Sequence, residues 1–457
     1  MLLKWVQLGA KWELNMVKIP MPPPSTKDVL DSLELEGFER ILSSGVKASQ
    51  NGQYRHWDEV RHREPPDGLS LEEWWAAIKF ARQREFHALP LADKDGQPFQ
   101  YMMPDKAWER VHKIDQRLGG RITLSEKVVN PATQDRYLVH SLIEEAITSS
   151  QLEGASTSRP VAKEMIRTGR PPRDRSERMI LNNYHAMNFV RENRKERLTP
   201  KFVREVHRLV TDRTLDDPGE AGRLQRPEDD RVKVFDRTTG ELLHTPPPAD
   251  QLPDRLKMLC RFANGQEIDT FLHPVVRAVL IHFWLAYDHP FSDGNGRTAR
   301  ALFYWSMLSQ GYWLAEYLSI STILQQARAQ YDRAFLYTET DELDVTYFIT
   351  HQLQVIMKAI NDLEGYLTRK MAEVKRTEKL IKDSDLNHRQ VALLSHALRH
   401  PDQTYTVRSH QQSNNIALET SRLDLMGLEE KGLLTRYRMG KAYGFVPIPD
   451  LVDRLRE

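Results

Sequence analysis

The stretch His289-Pro290-Phe291-Ser292-Asp293-Gly294-Asn295-Gly296-Arg297-Thr298-Ala299-Arg300 decides how this chain is read. It gathers an imidazole, a carboxylate, an amide between two glycines and two guanidiniums. Upstream, Val275, Val279, His282, Phe283 and Ala286 recur at three-and-four spacing, which predicts a helix ending near Tyr287. Pro290 has no N–H to donate and closes that helix. Downstream, Ala301, Leu302, Trp305 and Leu308 share one face of a second helix. The stretch therefore reads as helix, tight loop, helix.

Each residue type has a physical task in such a loop. Gly294 and Gly296 let the backbone turn sharply, so that amide N–H groups point outward at the next helix start, a natural anion site. Arg297 and Arg300, three apart, can both grip phosphate oxygens. Asp293 offers a hard oxygen to a magnesium ion that also holds phosphates. His289 titrates near neutral pH and can take a proton from an attacking hydroxyl. Phe291 pins the loop into the core. The set describes phosphoryl or nucleotidyl transfer, dominated by positioning and charge neutralisation. No Gly-Lys-Ser/Thr follows, so it is not a Walker A loop.

At these residues the chain resembles the signature of Fic-domain proteins, His-Pro-Phe-x-Asp/Glu-Gly-Asn-Gly-Arg-x-x-Arg, and matches every defined position. The resemblance implies transfer of AMP from ATP to a protein hydroxyl, with pyrophosphate leaving. It makes His289 the base, Asp293 the ligand of Mg2+ or Mn2+, Gly294, Asn295 and Gly296 the phosphate cradle, and Arg297 and Arg300 the phosphate clamps. Upstream, Ser149-Ser150-Gln151-Leu152-Glu153-Gly154 resembles the family's inhibitory motif, Ser/Thr-x-x-x-Glu-Gly/Asn. That likeness implies Glu153 pairing with Arg300, buttressed by Ser149 one turn earlier. In some relatives the matching glutamate also orients a water that removes AMP.

The 457 residues predict several domains. The charged residues, 28% of the chain, nearly balance to a formal net charge of +1, without the basic bias of a nucleic-acid binder. One cysteine, Cys260, excludes an intramolecular disulfide framework and suits a reducing compartment. No apolar run is long enough to span a membrane, and Lys4 and Lys11 break any signal-peptide core at the start. A cytoplasmic protein is expected.

In chain order, residues 1–45 read as a tail and short helix, from Thr26 or Lys27 to about Leu42, after the extended Pro20–Pro24 break. Residues 46–122 form an aromatic-rich accessory segment, either a small core or an aromatic surface. It includes a helix from Leu71 capped by Ser70 and Glu73 and a turn at Asp95-Gly96. Residues 123–365 are the family-like catalytic domain. Within it Val232-Lys233-Val234-Phe235 and Leu242-Leu243-His244 flank turn residues, as in a hairpin. The resemblance makes this hairpin the flap that clamps a target's hydroxyl side chain over the histidine, with Val232, Lys233 and Val234 pairing the target strand. Residues 366–385 read as a charged connecting helix. Residues 386–457 give three helices and a two-stranded hairpin, a pattern resembling a winged-helix domain. Ten Lys/Arg face eight Asp/Glu there, a weak footprint for DNA.

The fold class is thus mainly α: a Fic-type helical bundle with a small hairpin flap, an N-terminal accessory segment and a C-terminal winged helix-turn-helix domain. Three functional classes follow. One is a protein adenylyltransferase restrained by Glu153, using ATP on an unidentified target protein. Another is a DNA-binding regulator that uses the Fic-like part as a nucleotide sensor. The third is a scaffold without turnover. The C-terminal domain is open to DNA, to a protein partner or to a second copy of the chain, and no membrane partner is expected.

Overall fold

The computed structural model describes residues 19–119, 131–236, 239–268, 270–382, 385–401, 403–439 and 442–455. The expectations for residues 1–18 lie outside them, as do residues 440–441 of the hairpin expected near the C-terminal end. The chain divides into two compact units, residues 1–122 with 138–360, and residues 123–137 with 361–457.

The first unit opens with short helices: α1 (Thr26–Asp31), α2 (Leu35–Ser43), α3 (Trp57–Val60), α4 (Leu71–Gln83) and α5 (Asp105–Ile114). Between α4 and α5 runs the antiparallel hairpin of β1 (His87–Ala92) and β2 (Pro98–Tyr101). The single helix expected to Leu42 is two helices. Ser32 ends the first, its hydroxyl turning back onto the Val29 carbonyl at 2.6 Å. Ser70 and Glu73 close a capping box on α4. The aromatic crowding is mostly packing: Trp57, Val60, Trp74, Trp75 and Ile78 make a small buried cluster. Polar ties anchor this segment to the loop before the last helix of the unit. Lys79 lies 2.7 Å from Asp341, Arg82 donates to Tyr347 at 2.6 Å, and Tyr347 donates to Asp341 at 2.6 Å.

Next come α6 (Pro131–Leu152), α7 (Arg159–Thr168), α8 (Arg175–Glu192) and α9 (Pro200–Thr211). The short pair β3 (Val234–Phe235) and β4 (Leu242–His244) precedes α10 (Leu252–Ala263), α11 (Pro274–Asp288), α12 (Asn295–Ser309), α13 (Ile320–Gln326) and α14 (Arg328–Thr340). Helix α11 is buried almost all round, from Val275 to Tyr287, as expected of a helix apolar on every face. It packs on α10 and α12, and α12 in turn packs on α8 and α9. The loop between α11 and α12 is therefore held on the most buried pair of helices. Helix α15 (Thr346–Lys382) is one 37-residue helix, so residues 366–382, expected as a separate connecting helix, are its C-terminal part.

The second unit contains α16 (His388–Arg399), α17 (Val407–Asn414), α18 (Leu418–Glu430), the hairpin of β5 (Leu434–Met439) and β6 (Ala442–Pro447), and α19 (Leu451–Arg454). Tyr405 and Phe445 exchange backbone bonds of 2.8 Å, adding a bridge to the hairpin. Leu393, Leu394, Leu425, Leu428, Leu434 and Phe445 form its core.

Candidate functional site

Helix α11 ends by turning left-handed at His289, at φ 46° and ψ 52°. A non-glycine residue there is uncommon, and the surroundings over-determine it. The exposed carbonyls of the last turn all find donors. His244 Nε2 lies 2.7 Å from the Tyr287 carbonyl. Arg231 donates to the carbonyls of Asp288 and His289 at 2.6 and 2.9 Å. The Gln225 amide donates to the Pro290 carbonyl at 2.9 Å. Arg255 and Trp284 hold the buried Asp288 carboxylate. His289 Nδ1 faces the Ala286 carbonyl at 3.3 Å, so Nδ1 carries the proton and Nε2 keeps its lone pair. Burial pushes the His289 pKa down to about 4, against the pull of the Ala286 bond, so the ring is neutral at pH 7.

The loop is stapled by its own residues. Asn295 accepts from the Phe291 amide at 3.0 Å and donates to the Phe291 carbonyl at 2.8 Å. Phe291 is fully buried and stacks on His207, ring centroids 3.7 Å apart and 5° from parallel. His207 Nδ1 accepts the Gly222 amide at 2.9 Å, which fixes Nε2–H as the donor to the Asp293 carbonyl at 2.8 Å. Burial lowers the His207 pKa to about 4. Gly294 sits at φ +80°, and a Cβ there would stand 2.7 Å from Thr211 Cγ2, so only glycine fits. The first backbone bond of α12 runs from Thr298 to Gly294, which leaves the amides of Asn295, Gly296 and Arg297 as the open donors of the helix start.

The two arginines part company. Arg297 is fully buried, donates to the Val210 carbonyl at 2.7 Å and stands 3.5 Å from Asp293 Oδ2. Burial lowers its pKa. Arg300 instead faces α6. Its Nε donates to Ser149 Oγ at 2.8 Å, and its Nη2 donates to the Ser149 carbonyl at 3.1 Å and to Glu153 Oε1 at 2.8 Å. Burial opposes the Arg300 charge, but Glu153, Tyr331 and Glu145 together outweigh it and the pKa is raised. A Cβ on Gly296 would lie 2.1 Å from Glu153 Oε1. The carboxylate thus rests directly on the glycine at the helix start.

Asp293 projects its half-exposed carboxylate from the loop, one oxygen accepting the Gly294 amide at 2.6 Å. Among the described residues no three His, Cys, Asp or Glu side chains gather as a metal cage. A hard cation at Asp293 would take its other oxygens from a bound anion and water, as magnesium does. In the hairpin, Val232 and Lys233 precede the strand, because the Val232 amide turns to Gln225 Oε1 at 3.4 Å. Val234 pairs with His244 and Phe235 with Leu242, and both Phe235 and Leu242 are exposed.

Residues 197–307 match the Fic/DOC family profile. That stretch of the chain is similar to a Fic domain. Two curated relatives named protein adenylyltransferase Fic are similar to it. One, from Drosophila erecta, is 30% identical over 190 residues, 41% of this chain and 35% of the relative. The other, from Aedes aegypti, is 27% identical over 209 residues, 45% of this chain and 39% of the relative. The chain thus spans less than half the length of these relatives. A Fic family protein from Desulfovibrio desulfuricans G20 resembles it in fold, with a TM-score of 0.50 at 18% identity, over 76% of this chain and 98% of that one.

Several residues that build the loop escape a reading of the motif. His207 has a weak signal, a histidine inside the apolar stripe Phe202, Val203, Val206 and Val210. Arg231, Gln225 and His244 have none, since they reach the loop from sequence positions tens of residues away. His282, on the helical face read from the sequence, is buried with Nε2 2.9 Å from the Tyr331 hydroxyl, while its Nδ1 has no partner among the described residues.

Proposed function

We propose that the chain is a protein adenylyltransferase, moving AMP from ATP to a hydroxyl side chain of a target protein and of itself, and that Glu153 restrains it. One observation carries this reading: the Glu153 carboxylate rests on Gly296 and 2.8 Å from Arg300, the place whose open amides and guanidinium suit a phosphate. The name borne by the relatives and the unbroken motif support it.

In this mechanism the neutral His289 accepts the target's hydroxyl proton at Nε2. The hydroxyl oxygen bonds to the α-phosphorus of ATP as the bond from that phosphorus to the α–β bridging oxygen breaks, and pyrophosphate leaves. The amides of Asn295, Gly296 and Arg297 hold phosphate oxygens. Arg300 clamps the γ-phosphate once Glu153 withdraws, and the buried Arg297 keeps a fixed positive charge beneath the loop. Asp293 would hold Mg2+ with the phosphates, and the ion would neutralise charge growing on the leaving group. The hairpin at Val232, Lys233 and Val234 pairs with an extended target segment, steering its hydroxyl toward His289.

The second unit is read as a winged-helix module for a protein partner. Leu418, Leu423 and Met426 are exposed on α18 beside Glu419, which suits protein contact better than a phosphate backbone. No described helix is long and apolar enough to cross a membrane.

The test uses ATP labelled at its α-phosphate, with magnesium and three forms. Wild type labels itself weakly, Glu153→Gly strongly, and Glu153→Gly with His289→Ala not at all. Equal labelling by the first two removes the restraint; label surviving in the third removes the base.

A further inference from the structure

Glu153 is the residue after the last turn of α6, and helix ends fray unless something outside them holds them. Along α6 a seam of polar contacts does so, one helical turn at a time. Glu145 accepts from the Ser319 hydroxyl at 3.0 Å, the Ser321 amide at 3.1 Å and the Ser321 hydroxyl at 2.5 Å. Thr148 and Thr322 share a hydroxyl contact at 3.3 Å, and Gln325 Nε2 donates to Gln151 Oε1 at 3.3 Å. The seam ends where it matters most. Arg328 Nη1 donates to the Leu152 carbonyl at 2.5 Å, while its Nε faces Asp332 at 3.4 Å. From Glu145 to Gln151 the contacts advance by three on both sides, 145, 148 and 151 against 319, 322 and 325, and Arg328 then meets Leu152, the next residue of α6.

This arrangement has a direction. Glu145 is buried, so the seam is anchored at its inner end. Arg328 is half-exposed, and it grips the backbone of the residue next to Glu153. Beyond it the chain turns at once: the Glu153 amide donates to Ser150, the Gly154 amide to Gln151 and the Ala155 amide to Ser150, with Gly154 at φ +101°. Leu152 is thus where an outside group can steer the Glu153 side chain without touching it.

We infer that Arg328, held by Asp332, is a positioning residue that sets Glu153 against Arg300. This inference rests on the adenylyl-transfer reading for its effect on activity but on the Arg328–Leu152 contact alone for its effect on structure. A charge-assisted bond to a helix-end carbonyl is among the stronger kinds of hydrogen bond, so its loss frees the last turn of α6. The seam below, from Glu145 to Gln151, keeps the rest of the helix docked.

The test is a cycle of four proteins: wild type, Arg328→Ala, Glu153→Gly and the double variant. Self-labelling from α-labelled ATP is expected to rise about 3- to 10-fold in Arg328→Ala, and not to rise further when Arg328→Ala is added to Glu153→Gly. Arg328→Lys, which keeps a donor, is expected to return labelling to near the wild-type level. A rise of equal size in both backgrounds overturns the inference, because the effect then bypasses Glu153. Amide hydrogen exchange is read on the same proteins. Residues 150–155 are expected to exchange faster in Arg328→Ala while 141–147 and α12 keep their protection. Unchanged exchange at 150–155 overturns the inference even if no form labels itself, whereas faster exchange without any labelling sustains it and removes the adenylyl-transfer reading instead.

Discussion

The loop from His289 to Arg297 and the turn from Ser149 to Gly154 meet at one glycine, yet they are held in opposite ways. The loop is fixed by buried groups with matched partners: His207 between the Gly222 amide and the Asp293 carbonyl, Asn295 across the loop, and Arg231 under the helix end. The turn is fixed at its tip by a carboxylate that remains one-fifth exposed and by an arginine gripping a helix-end carbonyl. A buried framework held by many matched hydrogen bonds is costly to open, while a partly solvated ion pair is not. The difference separates a permanent part of the site from a releasable one.

That contrast can be broken at the loop first. His207→Ala removes a buried ring stacked on Phe291 and strands an amide and a carbonyl. A loss of about 3–5 kcal/mol in unfolding free energy is expected, read from the urea midpoint. A loss under about 1 kcal/mol would mean the loop does not depend on that framework.

Acid provides a second challenge. Burial holds His207 and His56 at about 4 and His282 at about 3, all below the ordinary 6.5. Each stays neutral when folded and takes up a proton more readily when unfolded. Their stabilisation is therefore complete above pH 6.5 and is lost as pH falls toward 4, with up to about 3 kcal/mol at stake for His207. The melting temperature should be level from pH 7 to 8 and drop steadily below pH 6. A level profile down to pH 4.5 would contradict the burial of these rings.

Arg231→Lys keeps a charge but not the fork that spans two carbonyls. A loss of about 1–2 kcal/mol is expected, with self-labelling of the Glu153→Gly form falling several-fold. Labelling unchanged in that form would remove Arg231 from the support of His289.

The smallest effect on stability should come from Gly296→Ala. The nearest obstacles to a methyl are the Glu153 carboxylate and the Arg300 tip, both ends of flexible side chains. Helix propensity gains roughly 0.5–1 kcal/mol, so stability should stay within about 1 kcal/mol of wild type. Self-labelling should nevertheless stay at or below the wild-type level, because the methyl takes the seat proposed for phosphate. Strong labelling would show that the seat is not where phosphate binds.

The loop and its two helices were legible in advance because their information is local. Proline ends a helix, glycines make a turn, and apolar spacing marks faces. The proximity of Glu153 to Arg300 came from family likeness, since nothing in local spacing brings positions 153 and 300 together. Arg297 and Arg300 looked alike, three residues apart, and only the packing of α9 against α12 draws one toward Val210 while the other meets α6. Helix α7 and the break at Ser32 escaped notice for the reverse reason. The first carries its apolar spacing, Val161, Ala162, Met165 and Ile166, inside a stretch dominated by basic residues, and the second depends on one hydroxyl turning back on the Val29 carbonyl.

The seat on Gly296 has one more consequence. An acid attached to the same chain never diffuses away, so under the proposed restraint it would contend with nucleotide at an effective concentration set by the short span between Gly154 and the seam, which for tethered groups reaches the millimolar range. Sensitivity to ATP would then be a property of that tether as much as of the site. A ligand that tugged on α6 could retune it without coming near the phosphates.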